Sequence, residues 1–315
     1  MRPLFLAGLL FLSAPSLAAW GAECAMAVHG PASFNDCAGR RIELDRPFTR
    51  IVSLYSAHTE NLVHLNASHH LVGASKGYAF PDKPLFSNHD GLERFLAVLP
   101  DAVLVRPMID RGYPGLVAGL ERNGITVISL QPAGLDGLFT YWRILGMICG
   151  KAGEARDMVG GFEGTLSAIR KATEAVLPKK RVFFEAIHSK FKTFSLGSMA
   201  LLVLEAAGGE NIAADAVPSR GTNIAWYGKE RILAQGPRID VYLAQVGPMN
   251  RITVEEIASE PGFGVIKAVA QGRIHLIEEA VVSRPTPRLV EGIRRISAIL
   301  YPDRFTQGEE AGCGR

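Results

Sequence analysis

The chain reads as an α/β protein of two three-layer lobes joined by one long helix, with a cleft between the lobes. Three observations predict this. One segment occurs twice along the chain. Short apolar runs of strand length alternate with helix-length stretches, the pattern of parallel α/β units. A single proline-free helical stretch separates the two copies.

The repeated unit is specific in its order. Glu93-Arg94-Phe95-Leu96-Ala97 leads to Pro100, the apolar run Val103-Leu104-Val105 and then Pro107-Met108. Glu230-Arg231-Ile232-Leu233-Ala234 leads to Pro237, the run Val241-Tyr242-Leu243-Ala244 and then Pro248-Met249. Each copy reads as helix, turn and buried strand. An acid at the same place in each lobe suggests a partner that grips both lobes at once.

The elements follow in order. Phe34 to Leu44 reads as a hairpin within an N-terminal extension, residues 20–49. The first lobe, residues 50–152, opens with the strand Ile51-Val52-Ser53-Leu54, followed by a helix capped by Ser56 or Thr59. Leu71–Ala74, Val103–Val105 and Thr126–Leu130 supply further strands. Pro114–Asn123 is a helix that Gly124 closes. From Glu154 to Val176 the apolar residues Met158, Phe162, Leu166, Ile169 and Val176 recur mostly at helical spacing. About 23 residues at 1.5 Å each span roughly 35 Å, the height of a small domain. This predicts a linker helix within residues 153–178, against the cost of Gly160, Gly161 and Gly164, each about 1 kcal/mol relative to Ala. The second lobe, residues 179–305, starts with the strand at Arg181-Val182-Phe183-Phe184. It continues through a Ser198–Ala207 helix and the repeated unit, and closes with a helix from Arg288 to Leu300. Residues 306–315 read as a loosely held tail.

At 315 residues the chain holds two domains of ordinary size. Its net charge of +3 makes nucleic acid a poor partner. The first residues read as a secretory signal, residues 1–19, with Arg2 in the n-region and Leu4–Leu12 as a short apolar core. Cleavage is expected after Ala18 or Ala19, which places the mature chain in the periplasm; acylation at Cys24 is the alternative. Four cysteines in an exported chain favour disulfides. Cys24 and Cys37, flanking a Gly-Pro turn, are the expected pair, and Cys149 with Cys313 form a second pair if the C-terminus returns to the first lobe.

Several segments together resemble the exported solute-binding proteins of ABC importers for iron-siderophores, haem and cobalamin. They are Arg50-Ile51-Val52-Ser53-Leu54, Thr59-Glu60, Leu71-Val72-Gly73, Leu92-Glu93-Arg94 with Pro100-Asp101, Leu204-Glu205-Ala206-Ala207-Gly208-Gly209-Glu210-Asn211, and Glu230-Arg231. The resemblance runs from about Arg50 to Pro302 in order and spacing. It implies two lobes on one rigid helix, a ligand in the cleft, and docking on a permease dimer of the inner membrane through one acid per lobe. Glu93 and Glu230 match those positions, and both also suit a helix start by charge alone. The implied cargo is a small-molecule metal chelate rather than an intrinsic cofactor, and the implied carrier is a monomer.

In parallel α/β lobes, ligands lie beyond the carboxyl ends of the strands. That rule selects Tyr55, His58, Arg106, Met108 and Tyr113 in the first lobe, and His188, Trp226, Tyr227, Met249, Arg251 and Arg284 in the second. The aromatic residues suit the walls of a site for a corrinoid or porphyrin. The arginines suit the carboxylates of a siderophore or the propionates of a porphyrin. His58, His188 and Glu185 are the one set worth testing for a bare metal. His64 and His69-His70 read as solvated or structural.

Two enzymatic signatures are missing: the chain has no His-Glu-x-x-His and no phosphate-cradling glycine loop. A binder, not an enzyme, is expected. Two alternatives stand beside the chelate carrier. One is a bare-metal or molybdate-type oxyanion carrier using Arg106 and Arg284. The other is a sensor or enzyme that reuses the fold.

Overall fold

A computed structural model describes residues 24–77, 82–219 and 222–305. The expected signal sequence (residues 1–19), Cys313 and the expected tail (residues 306–315) lie outside the described residues. An antiparallel three-stranded meander comes first: β1 (Ala27–Gly30), β2 (Ser33–Asn35) and β3 (Arg41–Glu43). The hairpin expected at Phe34–Leu44 is therefore the last part of a larger unit. Phe34 and Ile42 are buried in it and the residues flanking Ile42 are exposed, which is the period-two alternation of a one-sided sheet.

The first lobe holds a five-stranded sheet, entirely parallel, in the order β6-β5-β4-β7-β8. Its strands are β4 (Ile51–Ser53), β5 (Leu71–Ser75), β6 (Leu85–Phe86), β7 (Ala102–Val105) and β8 (Thr126–Ser129). The helices between them are α1 (Ser56–His64), α2 (Leu92–Ala97), α3 (Pro107–Gly112) and α4 (Pro114–Arg122), followed by α5 (Gly134–Ile148). Thr59 does not cap α1. The N-cap is Tyr55, and the Thr59 hydroxyl is buried and donates to Ser53 Oγ at 2.9 Å.

A single helix, α6 (Ala152–Thr173), carries the chain to the second lobe. Its buried residues Ala155, Val159, Phe162, Leu166, Ile169 and Thr173 form one stripe. Gly160, Gly161 and Gly164 face open space on the opposite side, so the helix survives them because its packed face supplies the stability. The helix ends before the expected boundary. Lys179 Nζ donates to the Thr173 carbonyl at 2.6 Å, satisfying an orphan acceptor of the last turn.

The second lobe holds a seven-stranded sheet: β9 (Arg181–Ile187), β10 (Lys192–Phe194), β11 (Glu210–Asn211), β12 (Val217–Pro218), β13 (Ile224–Trp226), β14 (Val241–Val246) and β15 (Ile274–Glu278). The path is β12-β13-β10-β9-β14-β15, with β11 beside β9. Here the expected parallel sheet is corrected in part. β9, β14, β15 and β11 are parallel, but β10, β12 and β13 run antiparallel to their neighbours. A three-residue turn, His188–Lys190, followed by Phe191 at φ 48° connects β9 to β10. A link that short permits only an antiparallel partner. The helices are α7 (Met199–Ala206), α8 (Lys229–Gln235), α9 (Val254–Ser259), α10 (Lys267–Ala270), α11 (Glu279–Val282) and α12 (Leu289–Leu300).

The duplicated unit holds the same topological position in both lobes. β7 lies between β4 and β8, and β14 between β9 and β15, all parallel. The outer face of each sheet buries its own cluster, around Phe95 and Val103 in one lobe and around Phe183, Tyr242 and Phe263 in the other. The inner faces share one cluster. It runs from Ile51 and Leu104 through Trp142 and Phe162 to Phe184, Val203 and Ile293. Trp142 and Phe162 pack edge-to-face at 5.2 Å within it. The lobes are thus joined by a continuous packed core as well as by α6.

Candidate functional site

The carboxyl ends of the two sheets face each other. Among the described residues, four hydrogen bonds cross between the lobes there. Asn61 Nδ2 donates to the Pro285 carbonyl at 2.9 Å, and Trp142 Nε1 donates to the same oxygen at 3.2 Å. Arg284 Nη1 donates to the Gly77 carbonyl at 3.1 Å, and Gly134 N to the Gly197 carbonyl at 2.9 Å. The segment Ser283–Arg288 therefore docks against the first lobe immediately after α11.

On the first lobe, Tyr55 follows β4 and Arg106 follows β7, so neighbouring strands bring them together. The Arg106 guanidinium carbon lies 4.5 Å from the Tyr55 ring centroid, a cation–π contact. Arg106 Nε donates to Gln131 Oε1 at 3.1 Å, and Gln131 lies just past β8. Among the described residues the two terminal nitrogens of Arg106 have no hydrogen-bond partner and no carboxylate. Burial pushes the Tyr55 hydroxyl above its usual pKa, and Arg106 and Arg284 pull it the other way while Glu279 adds to the rise. Arg284 comes from the second lobe and lies 3.8 Å from Glu279. Two cations from opposite lobes thus act on one tyrosine.

On the second lobe the cross-strand register places Val217, Trp226, Lys192 and Ile187 in one row at the carboxyl end of β9. Trp226 is exposed, with Lys192 Nζ 3.6 Å from its ring centroid. Met108 and Met249 occupy equivalent positions after β7 and β14, and both are exposed. Arg251 is exposed beside Met249.

Of the other selected residues, His58 and Tyr227 are buried. His58 is fully buried. Its Nε2 donates to the Val105 carbonyl at 3.2 Å, which leaves Nδ1 to accept from the Tyr141 hydroxyl at 2.7 Å. Burial pushes its pKa down to about 3, so the ring is neutral. Tyr227 is buried against Phe183, with Arg231 over its other side. Tyr113 packs edge-on to His89 at 5.4 Å, toward the loop that precedes α2. The metal set His58, His188 and Glu185 is not assembled: no group of three acidic, His or Cys residues able to hold a metal exists among the described residues. Glu185 is fully buried and occupied by the Tyr242 hydroxyl and by His188 Nδ1 at 2.8 Å.

His188 belongs to a linked set. Its Nε2 lies 3.6 Å from Glu260, and Glu260 pairs with Lys229 at 2.5 Å. The hydrogen bond that His188 donates to Glu185 and the charges of Glu185 and Glu260 raise its pKa against the burial that lowers it.

Glu93 and Glu230 lie in the first turns of α2 and α8, each one residue after the first helical position and two after a capping glycine, Gly91 or Gly228. Both are exposed, and neither forms an ion pair among the described residues. Cys24 and Cys37 form a disulfide. Cys149 is buried, its Sγ 2.9 Å from the Leu145 carbonyl, and burial pushes its pKa up to about 12.

Sequence reasoning missed Gln131, Glu279 and Gly77. Gln131 was within reach of the strand-end rule, being the first residue past the strand read at Thr126–Leu130. Glu279 and Gly77 had no such signal, because their role comes from contacts around Arg284.

An uncharacterized ABC transporter substrate-binding lipoprotein of Bacillus subtilis is 23% identical over 290 residues, covering 88% of this chain and 88% of that protein. A cobalamin-binding protein of Halobacterium salinarum is 24% identical over 296 residues, covering 90% of this chain and 78% of that protein. Among solved structures, a periplasmic heme-binding protein of Vibrio cholerae superposes with a TM-score of 0.71 at 18% identity, over 81% of this chain and 99% of that one. A molybdate periplasmic binding protein of a Haemophilus influenzae ABC transporter superposes with a TM-score of 0.71 at 19% identity, over 88% of this chain and 93% of that one. These superpositions match the two-lobed fold described above. Residues 51–281, which hold both sheets and the helix between them, match the periplasmic binding protein family, and the chain belongs to it.

Proposed function

We propose that the protein captures a metal chelate of the cobalamin, ferric-siderophore or haem class in the periplasm and hands it to the permease of an ABC importer. The observation that carries this reading is the Arg106–Tyr55 pair, whose free guanidinium nitrogens lie at the strand ends opposite Arg284. Such a pair grips an anionic substituent while Trp226, Met108 and Met249 offer apolar surface to a large flat body. The chelate is cargo, so no resident cofactor and no catalytic step are invoked. The names of the cobalamin- and heme-binding relatives support the cargo class.

Lobes at residues 50–152 and 179–305, with the helix between them, are the working units of this reading. The carrier acts as a monomer, and Glu93 and Glu230 meet basic groups of the permease dimer, one per lobe. Export through the cleavable leader suits the Cys24–Cys37 disulfide, which forms in oxidising compartments. That bond also occupies the thiol that a lipid anchor on Cys24 would need.

A second reading has one observation in its favour. Arg106 and Arg284 alone suffice for an oxyanion of the molybdate type, and the fold is shared with a molybdate protein. Native mass spectrometry of protein isolated from its own periplasm, with a visible spectrum of the same sample, decides between them. A coloured ligand of chelate mass supports the first reading. A colourless oxyanion supports the second, and covalent turnover of an added compound would remove both.

A further inference from the structure

The N-terminal extension lies outside the residues that match the family, yet it touches the cleft machinery at two places. The first is the disulfide. Cys37 N donates to the Ser129 carbonyl at 2.8 Å, and Asp36 Oδ2 accepts from Ser129 N at 2.9 Å. Gln131 N then donates to Cys37 Sγ at 3.2 Å. Asp36 and Cys37 thus run along the end of β8 and fix the backbone of Gln131. The side chain of that glutamine accepts from Arg106 Nε.

The second place is Arg40. Its guanidinium pairs with Asp36 at 2.8 Å, Asp110 at 2.6 Å and Glu121 at 3.0 Å. Asp110 lies in the first turn of α3, and the N-cap of α3 is Arg106 itself. The extension therefore holds Arg106 from two directions, through the Gln131 side chain and through the start of the helix that Arg106 caps.

Arg106 needs such support. A stacked arginine with one anchored nitrogen has a fixed plane, and a fixed plane sets where its free nitrogens point. Without the Gln131 carbonyl the guanidinium could slide over the Tyr55 ring, because a cation–π contact constrains rotation in the ring plane weakly.

We infer that Gln131 and the disulfide-anchored extension are positioning elements that aim Arg106 into the cleft and so set the protein's preference for an anionic ligand group. This rests on the cleft reading above only for its consequence in binding. The geometric part stands alone and is tested alone.

The experiment uses isotope-labelled mature protein with the disulfide formed. The Arg106 Nε–H resonance is assigned by its loss in Arg106→Lys, and its hydrogen exchange is measured. Exchange about tenfold slower than that of the exposed Arg251 is expected. Gln131→Leu, which keeps the disulfide, should remove that protection. The double variant Cys24→Ser, Cys37→Ser should remove it too, while the amides of α6 stay protected. Unchanged Arg106 protection in Gln131→Leu overturns the assignment of Gln131, with or without a folded cysteine variant. Unchanged protection in a folded cysteine variant overturns the role of the extension.

Binding of cyanocobalamin and of haemin is then measured on the same proteins. A loss of about tenfold in affinity in both variants, for whichever probe binds, is expected. If neither probe binds the unaltered protein, the cobalamin and haem forms of the cargo reading fail while the exchange result stands.

Discussion

The side-chain amide of Asn61 in the first lobe donates to the backbone carbonyl of Pro285 in the second, at 2.9 Å, inside the protein. Its other hydrogen goes to the Tyr141 hydroxyl at 3.1 Å, which donates to His58. A buried chain therefore runs from the second lobe to Val105, the last residue of the strand before Arg106. Replacing Asn61 by leucine, together with Trp142→Phe, strips the Pro285 carbonyl of both donors. An unsatisfied buried acceptor costs about 1–3 kcal/mol. Urea unfolding should show a loss of that size, and small-angle scattering should show wider lobe motion than in the unaltered protein. Unaltered scattering in a folded variant would place the stiffness in α6 and the shared core alone.

Charge reversal at the lobe acids tests docking separately from capture. Glu93→Arg and Glu230→Arg should each reduce uptake, and the pair should abolish it. Both acids are exposed on helix starts away from the strand ends, so affinity for the cargo and melting temperature should stay unaltered. Uptake and equilibrium binding measured side by side give the answer.

Arg106→Ala removes the cation with free donors. A charge-assisted hydrogen bond is worth about 1.5–3 kcal/mol, so affinity for the cargo should fall about tenfold or more. Arg106→Lys should recover little, because lysine lacks both the planar face that stacks on Tyr55 and the Nε that Gln131 holds. Titration calorimetry with the ligand found in native protein measures both.

His58 makes the fold acid-sensitive. Its folded pKa is depressed to about 3 from 6.5 by burial. The unfolded chain thus takes up a proton first as pH falls, and stability present above 6.5 is lost progressively toward 3. From roughly pH 7 to pH 4 this amounts to roughly 3 kcal/mol. His58→Gln should flatten the pH dependence of urea unfolding over that window, whatever its effect at neutral pH.

His188 has the opposite sign. Its folded pKa is raised by Glu185 and Glu260, so its contribution is complete below 6.5 and disappears as pH rises through the raised value. The groups that face it are Glu185, Glu260 with its partner Lys229, the Tyr242 hydroxyl bonded to the same Glu185 oxygen, and Asn250, whose Oδ1 accepts from the His188 backbone. The difference in melting temperature between His188→Gln and the unaltered protein should be larger at about pH 6 than at about pH 9. A difference independent of pH would mean the histidine acts by packing alone.

The duplicated unit, the long helix between its copies and the residues that stand at strand ends are legible along the chain. These are local properties. The apolar period marks strand or helix, and a residue that follows a strand by one or two positions must emerge at that strand's end. Tyr55 and Arg106 were legible for that reason, and the Cys24–Cys37 pair from its spacing across a turn. Which of these residues stay exposed at the strand ends is set by packing between distant elements. His58 lies three residues beyond Tyr55 on the start of α1, yet Tyr141 and Val105 enclose it, and both come from distant parts of the chain. The antiparallel half of the second sheet, the Pro285 seam and the hold of Gln131 on Arg106 share that origin. Each depends on which surface arrives opposite a side chain, and packing between elements sets that at long range where no local period records it.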